Sequence, residues 1–194
     1  ILPYGFLGAD TVPGFKRDLA KAKSLLAESG YKAGTKVTLS YPNTTLFGVD
    51  RNVVAQKLQA DLLEAGITLE LVPQEQSLFL QNYRGRKDMM AMGWQTPDFP
   101  DSHANAWGFG ASDGIFSKRV FYVNPENDKL VAQGLLATDP KVRRTIYAKL
   151  LKNIQDDADF IALVQPKENI CYRDYVKGMF YHPVVKVPIT AISK

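Results

Sequence analysis

The residues best able to do chemistry crowd into one stretch, residues 94–116, where Trp94, Asp98, Phe99, Asp101, His103 and Trp107 stand among glycines and prolines. Aromatic side chains with a few carboxylates suit a ligand site, which needs an apolar wall to cover its solute and a few fixed polar groups to orient it. The stretch shows no clear periodicity over about twenty residues, and irregular segments of that length in compact domains tend to carry function. Trp94 and Asp98 form the simplest pairing of wall and charge. His103 is near enough in sequence to touch the same ligand, although a solvent-exposed position suits it better. The plain alternative has Asp98 and Asp101 capping turns, a common use of aspartate, with Trp94 in the core.

A rival chemistry is written in the same region. GASDG at residues 110–114 matches G-x-S-x-G, the nucleophile elbow of a serine hydrolase, with Ser112 as nucleophile and His182 later in the chain. That elbow needs a strand before the serine and a helix after it. Residues 106–109 are broken by Gly108 and residues 115–121 read as extended, so no catalytic residue is expected. Gly108, Gly110 and Gly114 also miss the dinucleotide spacing, the third glycine falling one position late. His103 and His182 are the two histidines and Cys171 the one cysteine, none with a neighbour at ligand spacing. Neither a metal nor a cofactor is expected, and Cys171 reads as a small core hydrophobe.

The elements that must position these residues alternate. The 194 residues are 45% hydrophobic and 23% charged, the profile of an ordinary folded chain of one domain or at most two. The net charge of +4 is scattered among acids, which argues against nucleic-acid binding. No apolar run reaches the roughly 18 residues of a spanning helix, and the opening ILPYG has neither an initiating Met nor a signal pattern, so a piece of a longer protein is expected. Asp18 and Gly30 bracket a helix, 36–41 alternate as a half-buried strand, and a second helix runs from about 50 to 65 before Gly66. Residues 67–72 read as a strand, Ser77 as the cap of a short helix, and 88–94 as a buried strand. Asn124 opens one helix, while Asp139-Pro140 starts another that reaches about 157. Residues 160–164 read as a buried strand, and 172–192 as strand-like but edge-exposed. The order predicts an α/β fold, a mixed sheet flanked by helices.

Several local patterns give the chain a resemblance to family 5 of the extracytoplasmic solute-binding proteins, the oligopeptide, dipeptide and nickel type. DLAKAKSLLAESGY at 18–31 is similar to the family's D-x-x-K-A-K-x-L-L-x-E-A-G-Y, and VAQKLQADLLEAGI at 54–67 to its I-A-x-x-I-Q-x-x-L-x-x-I-G-I. DMMAMGW at 88–94 followed by DFPD at 98–101 looks like Y-D-x-x-x-x-G-W-x-x-D-Y-x-D-P. Tyr122, Asn124 and Asp128 echo Y-x-N-x-x-x-D, and Arg144 with Tyr147 echoes R-x-x-L-Y. Each pattern alone is weak, and their order carries the match.

The resemblance implies a type II periplasmic-binding-protein lobe. Residues 1–194 would form the carboxy-terminal lobe of a two-lobed binder, with 1–15 and 175–194 near the crossovers. It implies a monomer that captures a small solute or peptide for the permease subunits of an ABC importer. Its place would be periplasmic or extracellular, anchored at the membrane through the parent's amino terminus. In peptide-binding members the aspartate after the Gly-Trp pair holds the ligand's α-ammonium, which places Asp98 in that role with Asp101 as competitor. Here three residues, Gln95, Thr96 and Pro97, separate Trp94 from Asp98 where the family usually has two, and Ser102 replaces the final proline. Members that carry nickel chelates, sugars or opines depart at this aspartate, so those solutes stand as alternatives.

Overall fold

Asp18 starts helix α1 (Leu19–Glu28) by accepting a hydrogen bond from the Lys21 amide, one of the donors that a first helical turn leaves unpaired. At the other end Gly30 adopts φ +74°, a left-handed conformation with little steric cost for glycine. The computed structural model describes residues 1–32, 34–46, 48–166, 170–180, 187 and 189–193. The chain divides into two compact units, one made of Gly14–Trp94 and the other of Ile1–Pro13 with Gln95–Lys194.

The Gly14–Trp94 unit is built on a parallel sheet. Strand β1 (Lys36–Pro42) lies between β4 (Thr68–Gln74) and β5 (Met90–Ala91) and pairs with both in parallel. Parallel neighbours need a long crossover, supplied here by α2 (Arg51–Ala65), and after β4 by α3 (Gln76–Arg84). Between β1 and α2 a short antiparallel ribbon joins β2 (Thr45–Leu46) to β3 (Val49–Asp50). Leu39, Tyr41, Ala55, Leu69 and Met92 form the core, with Val54, Leu58 and Leu62 of α2 against it. Burying a large apolar side chain of this kind contributes about 1.5 to 3 kcal/mol.

The second unit is helical among its described residues, with α4 (Ser102–Gly110), α5 (Ser117–Val120), α6 (Pro125–Leu136) and α7 (Pro140–Asp157). Asn124 and Asp139 cap α6 and α7, each followed by proline, whose missing N–H costs nothing in a first turn. Ala106, Leu130, Val131, Tyr147, Leu150 and Ile154 make its core, joined by Leu2 from the chain start. Ser102 Oγ donates to the Leu7 carbonyl at 2.9 Å and Asn105 Nδ2 to that of Ile1 at 2.8 Å, so two buried polar side chains of α4 hold the first residues in place.

Several expectations are corrected. The irregular stretch 94–116 contains a nine-residue helix, α4, which packing and capping impose on SHANAWGFG despite its two glycines. Residues 115–121 are not extended throughout, since Ser117–Val120 is a helical turn. The cap of α3 is Glu75, not Ser77: its carboxylate accepts from the Ser77 and Leu78 amides. Of 88–94 only Met90–Ala91 is laddered and only Met92 is buried among its methionines. Residues 160–164 join no ladder among the described residues, and Ile161 and Val164 are 70% and 68% exposed. An apolar run without a partner strand cannot close its backbone bonds as sheet. Phe160 packs edge-on to Phe109 at 5.1 Å. Cys171 is exposed, not core. The 172–192 tail shows one antiparallel bridge, Lys177 with Ser193, and a 3-10 turn at Ile189–Ala191, while 181–186 and 188 lie outside the described residues.

Candidate ligand-binding site

Asp101 sits at the start of α4 with a β-region backbone, which lets its side chain swing over the first turn and accept from the His103 amide at 2.7 Å. Both of its carboxylate oxygens also accept from Arg143, Oδ2 from Nη1 and Oδ1 from Nη2, each at 2.8 Å. This fork-to-carboxylate geometry is the strong form of an ion pair. The Arg143 hydrogen bonds hold the Asp101 carboxyl below the usual carboxylate range, assisted by the His103 amide and opposed by partial burial. Arg143 is in turn raised by Asp101 and further secured by Tyr147.

The neighbouring aspartate is different. Asp98 is exposed and has no hydrogen bond or ion pair with any described residue. Phe99 beside it is 47% exposed and Trp107, on the outer face of α4, 41% exposed. The Trp107 ring is oriented by its Nε1, which donates to Asp113 at 3.2 Å. His103 lies one helical turn before Trp107 and is partly buried, not solvent-exposed as one reading had it. Its Nδ1 is buried without a hydrogen-bond partner among the described residues. Burial first, and the Arg143 charge after it, push its pKa down against the pull of Asp101, so the neutral ring is favoured. Trp94 closes the Gly14–Trp94 unit and is 36% exposed. The helical unit thus carries Asp98, Phe99, Asp101, His103 and Trp107, with the Asp101 carboxylate answered by Arg143 and that of Asp98 unanswered among the described residues. His182 lies outside the described residues.

Ser112 belongs to a different construction. Its hydroxyl donates to Asp128 Oδ2 at 2.8 Å and its amide to Oδ1 at 2.6 Å, while the Asn124 amide donates to its Oγ. Helix α4, not a strand, precedes it. Tyr122 and Asn124 each donate to Asp157 Oδ2, at 2.6 and 2.8 Å, and Asn127 Nδ2 donates to the Tyr122 hydroxyl at 2.7 Å. The Y-x-N-x-x-x-D pattern is therefore a clasp joining the turn after α4 to the start of α6 and the end of α7. An open depression of about 380 Å³ lies at this clasp, lined by Phe121, Tyr122, Val123, Asn124, Asp157 and Asp159. None of the candidate residues lines it. Sequence reasoning missed Arg143; the signal was its i,i+4 spacing to Tyr147, whereas Arg144 turns outward to an exposed pair with Asp10.

The fold is that of the periplasmic-binding-protein class. HbpA2 from Haemophilus parasuis superposes with a TM-score of 0.80 at 20% identity, over 98% of this chain and 38% of that one. The chain belongs to the bacterial extracellular solute-binding proteins, family 5, whose middle-region model matches residues 1–117. It is 28% identical to the probable D,D-dipeptide-binding periplasmic protein DdpA of Escherichia coli, over 95% of this chain and 36% of that protein. DppA from Helicobacter pylori, solved with the peptide STSA, shares 26% identity and a TM-score of 0.67 over 81% of this chain and 31% of that one. The chain spans about a third of the length of the curated relatives it matches. Among the described residues no helix is long and apolar enough to cross a membrane.

Proposed function

We propose that this chain is the later lobe of a two-lobed binder that captures peptides for an ABC importer, with residues 1–15 and 175–194 near the crossovers. The binder works outside the cytoplasmic membrane, as a monomer and without catalysis. The observation that carries the ligand assignment is the exposed carboxylate of Asp98, without a partner among the described residues and followed by the exposed ring of Phe99. An ammonium group supplies the missing partner, and enclosure by aromatic walls strengthens the pair by excluding water. The neutral ring of His103 adds no competing charge. Asp101 is reserved for Arg143. Relatives named for dipeptides and oligopeptides support the solute class. Native mass spectrometry of the longer protein as purified tests the reading: a retained peptide is expected, and a retained sugar or metal chelate would overturn the peptide assignment.

A further inference from the structure

Arg143 is hydrogen-bonded through each nitrogen of its guanidinium. It lies on α7, yet its guanidinium joins three helices: Nε donates to the Gly134 carbonyl near the end of α6 at 3.2 Å, and Nη1 and Nη2 take both oxygens of Asp101 at the start of α4. Nη2 also donates to the Tyr147 hydroxyl at 3.1 Å, one helical turn further along α7. The side chain is only 19% exposed, so the fork is held from several sides. Gly134 leaves room for this arrangement, because a Cβ there would meet the Tyr147 ring at 2.7 Å.

What Arg143 fixes continues towards Asp98. The Asp101 carboxylate caps α4 through the His103 amide, and the Asp101 amide donates to the Phe99 carbonyl at 2.8 Å. The short turn that carries Phe99 and follows Asp98 is thus tied at its base to a residue whose side chain Arg143 immobilises. Lysine would keep the charge but not the fork, since an ammonium is a point donor and cannot meet two carboxylate oxygens in one plane while reaching Gly134 and Tyr147.

We infer that Arg143 is the positioning residue of this binding site: through Asp101 it sets the α4 cap and the Phe99 turn, and so aims the Asp98 carboxylate at its ligand. This rests on the proposed recognition of an ammonium by Asp98, and the test separates the two. The longer protein that carries this chain and its Arg143→Lys and Arg143→Gln variants are titrated with alanyl-alanine and with N-acetyl-alanyl-alanine by NMR, while amide exchange is followed at His103 and Ala104 and at Leu150 and Ile154. Expected for Arg143→Lys is faster exchange at the α4 cap with unchanged core exchange, and alanyl-alanine affinity lower by about tenfold. Arg143→Gln adds a pH signature that mere packing would not give. The groups facing the Asp101 carboxyl are Arg143 and Tyr147 of α7 and His103 of α4. In the wild type the His103 amide resonance holds its capped position below the ordinary carboxylate range, and in the variant it titrates near the ordinary value of about 4.

Unchanged cap exchange in both variants overturns the inference whatever the peptide does. Loosened caps with unchanged alanyl-alanine affinity overturn it too, by showing a structural clasp without influence on binding. Equal affinity of the wild type for the two peptides, or none for either, removes the ammonium reading. In that case a loosened cap with displaced Asp98 and Phe99 resonances still upholds the positioning role, and undisplaced resonances overturn it.

Discussion

Replacing Gly134 by alanine should destabilise the protein, although glycine-to-alanine changes inside helices ordinarily stabilise them by roughly 1 kcal/mol. Gly134 lies within α6. The added Cβ would stand 2.7 Å from Tyr147 Cε1, 2.8 Å from Cζ and 3.0 Å from the hydroxyl. Tyr147 is fully buried, its ring under the Arg143 guanidinium and its hydroxyl bonded to it, so the ring has nowhere cheap to go. Overpacking of this sort costs about 1 to 3 kcal/mol, and displacing the hydroxyl forfeits a hydrogen bond to a charged donor, about 1.5 to 3 kcal/mol in a favourable case. Against the propensity gain, the net loss is about 1.5 to 5 kcal/mol, a fall in melting temperature of roughly 3 to 20 °C for a chain of this size. Thermal unfolding followed by circular dichroism measures it. A Gly134→Ala protein that melts at or above the wild-type temperature would refute the packing argument and with it the tight seating of Tyr147 behind Arg143.

Other outcomes follow from the same packing and hydrogen bonds. Ile154→Ala, which empties a position 1% exposed in the helical core, should cost about 2 to 5 kcal/mol in urea unfolding. Tyr122→Phe removes a hydroxyl serving both Asp157 and Asn127 and should cost about 1 to 3 kcal/mol, a loss within error marking the clasp as ornamental. Acid should weaken the fold in two windows. His103, its folded pKa lowered by burial, resists the proton that the unfolded chain accepts below about pH 6.5, so stability falls as pH drops from there. Asp101, its folded pKa lowered by Arg143, contributes stability that is complete above the ordinary carboxylate value of about 4 and is lost as pH falls towards the folded pKa. The stability gap between wild type and Arg143→Gln should therefore be flat above about pH 7, begin to narrow below about pH 6.5, where His103 takes up its proton more readily without the Arg143 charge, and narrow further below about pH 4.

Most of the helices were legible because their ends carry cap chemistry: Asp18, Asp50, Asn124 and Asp139 all accept the amide bonds that their residue types offer. The strands β1 and β4 followed from period-two alternation. Helix α4 was not legible, since glycine and aromatic residues depress helix propensity and the contacts that enforce the helix come from Leu7, Ile1 and Arg143, distant in sequence. The same blindness hid the difference between Asp98 and Asp101, identical in type and three positions apart. The α4 cap and the partner 42 residues away on α7 distinguish them. Residues 160–164 show the converse error, where an apolar run suggested a strand that finds no described ladder.

The central claim is that an open Asp98 carboxylate reads a peptide ammonium, and calorimetric titration of the protein and its Asp98→Asn variant with alanyl-alanine and its N-acetylated form tests it most directly. The account predicts that acetylation and the Asp98→Asn change each weaken binding by about 2 kcal/mol or more, some thirtyfold, and that the two losses do not add. Equal affinity for both peptides, or an Asp98→Asn variant that binds alanyl-alanine as the wild type does, would contradict it.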